Sequence, residues 1–255
     1  MDNVLNGKKS WLAAPALFLL GVVAIVAIWL THSPEWVQAH FDADGASPVE
    51  SATIGLFYMV IGLLWLVPAM RCPRARRFWR WDFSLVSMLA ICRELDWHKS
   101  WIDTSNVRYV AGKMAGKAFT GTAYKLKFLT RTDAPWADKL IVAAFFAVFI
   151  GVLGGTIIYF LPRLWRGLWK LHPVSWSIGF LGGVGVLVNV VDRFPSVLRK
   201  MGVRLTDSVE ALQTAMEEGL ELLLPLLAIL AILQAYFIYV APGESYDETA
   251  AWREI

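Results

Sequence analysis

Six apolar runs, at 11–30, 50–70, 81–101, 138–161, 173–192 and 217–240, dominate the chain. Each is about as long as the roughly 20 residues a helix needs to cross a bilayer's hydrocarbon core. A backbone in lipid must satisfy its own hydrogen bonds, so such runs fold as helices. With 57% hydrophobic residues and a mean hydropathy of +0.51, the chain exceeds the roughly 45–50% apolar content of soluble domains. The expected fold is all-α: a polytopic transmembrane helical bundle of about six spans, forming a single integral membrane domain over 1–255. Trp79 and Trp81, Trp97 and Trp101, Trp165 and Trp169, and Tyr236 and Tyr239 stand where apolar runs begin or end, the headgroup level that such rings favour.

The run after Lys8 and Lys9 is too long for a signal peptide and no small-residue cleavage site follows it, so it reads as an anchor that stays. Cys72 lies in an Arg-rich loop and Cys92 in an apolar run, at different depths, which argues against a disulfide or a cysteine metal site. A formal charge of +3 suits anionic lipid and implies no nucleic acid. Gly151-x-x-x-Gly155 and Gly179-x-x-x-Gly183 have the spacing that lets helices approach closely in lipid. Pro225 frees the carbonyl of Glu221 and predicts a kink beside an acid. Asp207-x-x-Glu210 has the form of a capping box, from which Glu210, Thr214, Glu217 and Glu221 recur at helical spacing as one polar stripe. The connection 102–137 interleaves Arg108, Lys113 and Lys117 with Tyr109, Met114, Phe119, Tyr124 and Phe128. It reads either as a basic amphipathic element on the membrane surface or as a solvated basic loop.

Successive spans alternate direction, which sends the acids to one face. Glu50 opens the second span, Glu94, Asp96 and His98 close the third, Asp192 closes the fifth, and Glu217, Glu218 and Glu221 open the sixth. Arg71, Arg74, Arg76, Arg77 and Arg80, with Arg163, Arg166 and Lys170, collect in short loops on the opposite face, which is therefore expected to be cytoplasmic. Glu94 and His98, four apart, project from one side of a helix, whereas Asp96 points elsewhere. Glu94 is expected to be the deepest acid, since ionisable groups at such depth are costly and mark functional sites by default. Carboxylates from several helices plus an imidazole suit a divalent metal, and the same residue types serve a proton relay. The plainer account is interfacial ion pairing: Asp192 beside Arg193, Glu94 beside Arg93, Asp96 near Lys99, and Glu50 simply favoured at a helix start.

The block Arg93-Glu-Leu-Asp-Trp-His-Lys99, with Pro135-Trp-Ala-Asp-Lys-Leu-Ile141 and Glu217-Glu-Gly-Leu-Glu-Leu-Leu223, resembles a group of bacterial polytopic inner-membrane proteins. The likeness covers the chain from the third span onward and implies an inner-membrane, multi-pass protein without assigning an activity. The late histidine pair of ceramidase-type membrane hydrolases is missing. The leading expectation is a metal-assisted hydrolase or transferase acting on a lipid-like substrate. In it Glu94, His98 and Asp192 hold a divalent cation, Glu94, Glu217 and Glu221 carry the chemistry, and Lys113, Lys117 and Arg108 hold an anionic headgroup, with Glu50, Asp96 and Glu218 secondary. The alternatives are a cation- or proton-coupled carrier using the same acids, and a non-catalytic subunit of a homo-oligomer or membrane complex whose acids meet a partner's bases.

Overall fold

The computed structural model describes residues 9–41, 47–66, 75–95, 105–110, 115–119 and 126–239. Among them the chain forms eight α-helices and no strand: α1 (Ala13–Thr31), preceded by a 3-10 turn at Ser10–Leu12, α2 (Pro34–Phe41), α3 (Pro48–Leu66), α4 (Ala75–Glu94), α5 (Leu126–Arg131), α6 (Trp136–Trp169), α7 (Pro173–Lys200) and α8 (Asp207–Tyr239). Five are long and apolar enough to cross a membrane: α1 with its 3-10 turn, α3, α6, α7 and α8. The chain is a multi-pass helical membrane protein. Of the third expected span, 96–101 lie outside the described residues, and within the described part the apolar stretch of α4 covers Phe83–Cys92, about 15 Å at 1.5 Å per residue against a core of about 30 Å. Arg76, Arg77 and Arg80 occupy its first turns, where lipid-facing length would otherwise be gained.

The chain divides into two compact units, Met1–Ser84 with Phe160–Ile255, and Leu85–Tyr159. In the first, α8 is the centre: half of its apolar window is buried, against at most 28% in any other span. The helix α1 runs antiparallel to it. Gln234 Nε2 donates to the Ser10 carbonyl (3.0 Å), Gly21 faces Leu223, Gly219 faces Ile25, and Trp29 Nε1 donates to the Ser208 carbonyl (2.9 Å). At Gly21 and Gly219 the α1–α8 seam leaves no room for a side chain. A Cβ added to Gly219 would stand 2.5 Å from Ile25 Cδ1, and one added to Gly21 2.6 Å from Leu223 Cδ2. The expected glycine pairs behave otherwise. A Cβ at Gly151, Gly155 or Gly183 meets nothing within 4 Å among the described residues, and only Gly179 of the four is approached, by Leu168.

The helix α7 is also antiparallel to α8, through a turn in which Gly202 takes φ +81° and the Val203 N–H bonds back to the Leu198 carbonyl. A left-handed residue just past the last helical turn is the usual helix stop, and glycine takes it without a Cβ penalty. At the far end Ser177 Oγ donates to Gln234 Oε1 (2.7 Å), so this fully buried amide joins α7, α8 and the 3-10 turn. Such interhelical bonds contribute about 1 kcal/mol in lipid. The helix α3 runs parallel to α8, with Val60 and Leu64 against Ala228, Ile232 and Ala235. The short α2 lays Val37 and Phe41 on Ala211 and Ala215 at the leading end of α8. Residues 32–41, Ser47 and the turn 201–206 thus share that end, while the turn at 170–172 lies at the other, as the alternation of spans predicts.

In the second unit, 107–110 pairs antiparallel with 115–119: the Phe119 N–H donates to the Val107 carbonyl, and the Gly116 N–H, at φ +80°, to that of Tyr109. Val107, Phe119, Phe128, Ala134 and Val142 form a small core. Phe128 is completely enclosed and meets the Phe119 ring edge to face at 5.6 Å. The aromatic residues read as a membrane-facing stripe in 102–137 therefore include two, Phe119 and Phe128, that point inward.

Candidate functional site

A carboxylate costs least when solvated, so the acids of a membrane helix are informative in proportion to their burial. Of the acids expected to act, Glu221 is the buried one among those whose side chains are described, at 3% exposure. Its depth follows from register. Ser10 stands level with Gln234, Gly21 with Leu223 and Ile25 with Gly219, so Glu221 lies level with Val23, near the middle of the span Ser10–Thr31. The sequence places it at the opening of the sixth span, on a helix that starts before the membrane at Asp207. The structure begins α8 at Asp207 as expected, and carries Glu221, fourteen residues or about 21 Å on, to mid-span.

One turn before it, Glu217 is half-buried and accepts a bond from Gln213 Nε2 (2.7 Å). Glu218, also half-buried, follows on the adjoining face. Glu210, two turns further back, is taken by Arg199 of α7 (2.7 Å), an exposed pair of small energetic weight. The proposed capping box at Asp207 is thereby corrected: Glu210 turns to α7, and the first helical amides, of Val209 and Glu210, bond to the Thr206 carbonyl. A polar stripe from the leading end of α8 to its buried middle, as the spacing predicts, is present.

The capping box lies elsewhere. The Ser47 N–H donates to Glu50 Oε2 and the Glu50 N–H to Ser47 Oγ, both at 3.0 Å, with Pro48 at the first helical position. Ser-x-x-Glu before an apolar run was legible in the sequence as this motif. Glu50 thus has a local task. Ser47→Ala is expected to lower stability by about 1 kcal/mol, read by thermal unfolding in detergent, while Glu50→Gln, which the motif tolerates, should leave stability and any activity near wild type. Full loss of activity with unaltered stability in Glu50→Gln would return Glu50 to the site.

Asp192 stands level with Glu217 across the α7–α8 pair, as Gly185 with Leu224 and Arg199 with Glu210 show, but its side chain is exposed, as is that of Asn189. The side chain of Glu94 and all of Asp96, His98 and Lys113 lie outside the described residues. Among the described residues no three of His, Cys, Asp and Glu come together as a metal site. Arg108 and Lys117 are exposed in the second unit, where the Arg108 N–H is held by Asp133 Oδ1 (2.7 Å). Cys92 is a free, half-buried thiol.

At the leading end, His32 just past α1 and Trp36 and His40 of α2 form a stack with ring centroids 3.9 Å apart at each step. Ser33 Oγ accepts the Trp36 N–H there, and the backbone N–H of Glu35 itself, followed by the Ser33 hydroxyl, holds the exposed Glu35 carboxyl below its ordinary range. Comparison with family models, curated proteins and solved structures returns no match.

Proposed function

We propose that this chain is an inner-membrane carrier of the bacterial type that its sequence resembles, coupled to binding of a proton or cation at Glu221 and reached along Glu217 and Glu218. The observation that carries the reading is the burial of Glu221 at mid-span on the most enclosed helix. A carboxyl at that depth costs at least about 2.5 kcal/mol even on lenient scales, and groups kept there at such cost serve ion or proton passage more often than packing. Glu217 lies one turn nearer the leading end on the same helix face, and so extends the line of carboxylates toward that end. The metal-assisted hydrolase reading, by comparison, draws on the sequence pattern of Glu94, His98 and Asp192.

Purified protein in sealed vesicles containing a pH-sensitive dye tests this. Under an imposed gradient, wild-type vesicles should acidify at least tenfold faster than Glu221→Gln vesicles, and an apolar carbodiimide should label wild type at Glu221 and abolish the flux. Equal flux in wild type and variant removes the carrier reading. Elemental analysis of the same preparations separates the alternatives, because a stoichiometric metal lost in His98→Ala would restore the hydrolase.

A further inference from the structure

On the first unit's lateral surface, α1, the last turns of α6 and the first half of α7 leave a recess of about 540 Å³. Its walls are aromatic and aliphatic: Phe18 from α1, Trp165 and Trp169 from α6, Trp176 and Phe180 from α7, with Gly183 as part of the floor. The walls are fixed in place. Trp176 Nε1 donates to the Leu168 carbonyl (3.2 Å), Gly167 is in tight contact with Ser175, and the Trp176 ring stacks on Phe180 with centroids 5.9 Å apart. From Trp176 to Leu187 the lining runs eleven residues along α7, about 16 Å. That is one leaflet, half of a core of about 30 Å.

Arg166, which is exposed, stands on the same turn of α6 as Trp165 and Trp169, and no acid occurs in the sequence between Asp138 and Asp192. An apolar slot one leaflet deep, with indoles and a base at one end, has the pattern of a lipid: a chain below, an anionic group above. We infer that this recess binds one acyl chain of an anionic glycerophospholipid, whose phosphate is held by Arg166. Each base near an anionic headgroup contributes about fivefold in affinity. The site lies at the end of the bundle away from Glu50 and Glu217 and is independent of ion binding at Glu221.

The indoles report occupancy directly. Full-length protein is placed in phosphatidylcholine vesicles, and quenching of tryptophan fluorescence is titrated with dibromo-acyl phosphatidylglycerol or dibromo-acyl phosphatidylcholine. Half-maximal quenching is expected at a mole fraction at least threefold lower for the phosphatidylglycerol. Arg166→Gln, which leaves the walls intact, should bring the two lipids together. Gly183→Leu fills the floor where a Cβ meets nothing within 4 Å, and should remove the high-affinity component for both. Equal half-maxima in wild type would mean an annular lipid only and would overturn the proposal. So would unchanged phosphatidylglycerol quenching in both variants, or a wild type that resists quenching because a second copy, seen by cross-linking, covers the recess.

Discussion

Gly219→Leu should abolish the folded bundle, lowering the monodisperse fraction in detergent to a small remnant of wild type. Its Cβ alone would come within 2.5 Å of Ile25 Cδ1 and 2.6 Å of Cγ1, and Ile25 is 5% exposed against Val37, Phe41, Ala211 and Ala215, so it has nowhere to turn. Overpacking of this kind costs about 1–3 kcal/mol for a few extra carbons and more when two helices must part. Two opposing terms set the smaller change: Gly219→Ala gains up to about 1 kcal/mol in helix propensity and loses about 1–3 kcal/mol to the clash, so it should be mildly destabilising. Gly151→Ala, with open space around its Cβ among the described residues, gains the propensity alone and should be neutral or stabilised. Ile25→Ala should rescue Gly219→Leu in part. If Gly219→Leu and Gly151→Leu were tolerated equally, the α1–α8 seam would not be where this bundle is held together.

Phe128→Ala is the second large effect, expected to cost the Leu85–Tyr159 unit about 3–5 kcal/mol. The ring is fully enclosed, and its loss leaves Phe119, Val107 and Val142 around a void. The consequence is readable by limited trypsin digestion, since Arg108 and Lys117 are exposed and lie in the paired segments whose geometry the core maintains. Cleavage at those two sites should accelerate severalfold over wild type, with little change elsewhere. An unaltered digestion pattern would show that 105–119 is held by something other than this core, and would favour the loop or surface element that the sequence suggests.

The spans were legible because lipid imposes one requirement, about 20 apolar residues in a helix, that composition alone can satisfy. The third span was less legible, since Arg76, Arg77 and Arg80 stand before the apolar stretch Phe83–Cys92 and acids stand after it, so that composition does not tell where its lipid-embedded part stops. Glu221 was identified as a candidate but placed too shallow. Its depth is a matter of register between α1 and α8, set by Gly21 and Gly219 and by the bond from Gln234 to Ser10, none of which a single chain pattern reveals. The small core of 107–142 was hidden for a related reason. Val107 and Phe119 meet through a pairing of short segments too brief to show alternation, so the sequence left 102–137 as either a membrane-surface element or a solvated loop.

The partners of α8 are distributed along the chain in a way that governs how the bundle can be assembled. Ile25 and Gly219 are separated by 194 residues, so at about 5–20 residues per second a ribosome would deliver the second roughly 10–40 s after the first. Throughout that interval α1 and α3 must reside in the bilayer without the helix against which Val60, Leu64 and Ile25 are finally covered. Lipid tolerates such faces, as water would not. The Ser10 carbonyl and the Ser177 hydroxyl must likewise await the Gln234 amide, and Glu221 enters the membrane flanked by leucines on a helix that already has places prepared on three sides. Closure of the bundle and installation of its buried acid are therefore one late event, and a chain interrupted before α8 would carry the anchors without the carboxylate.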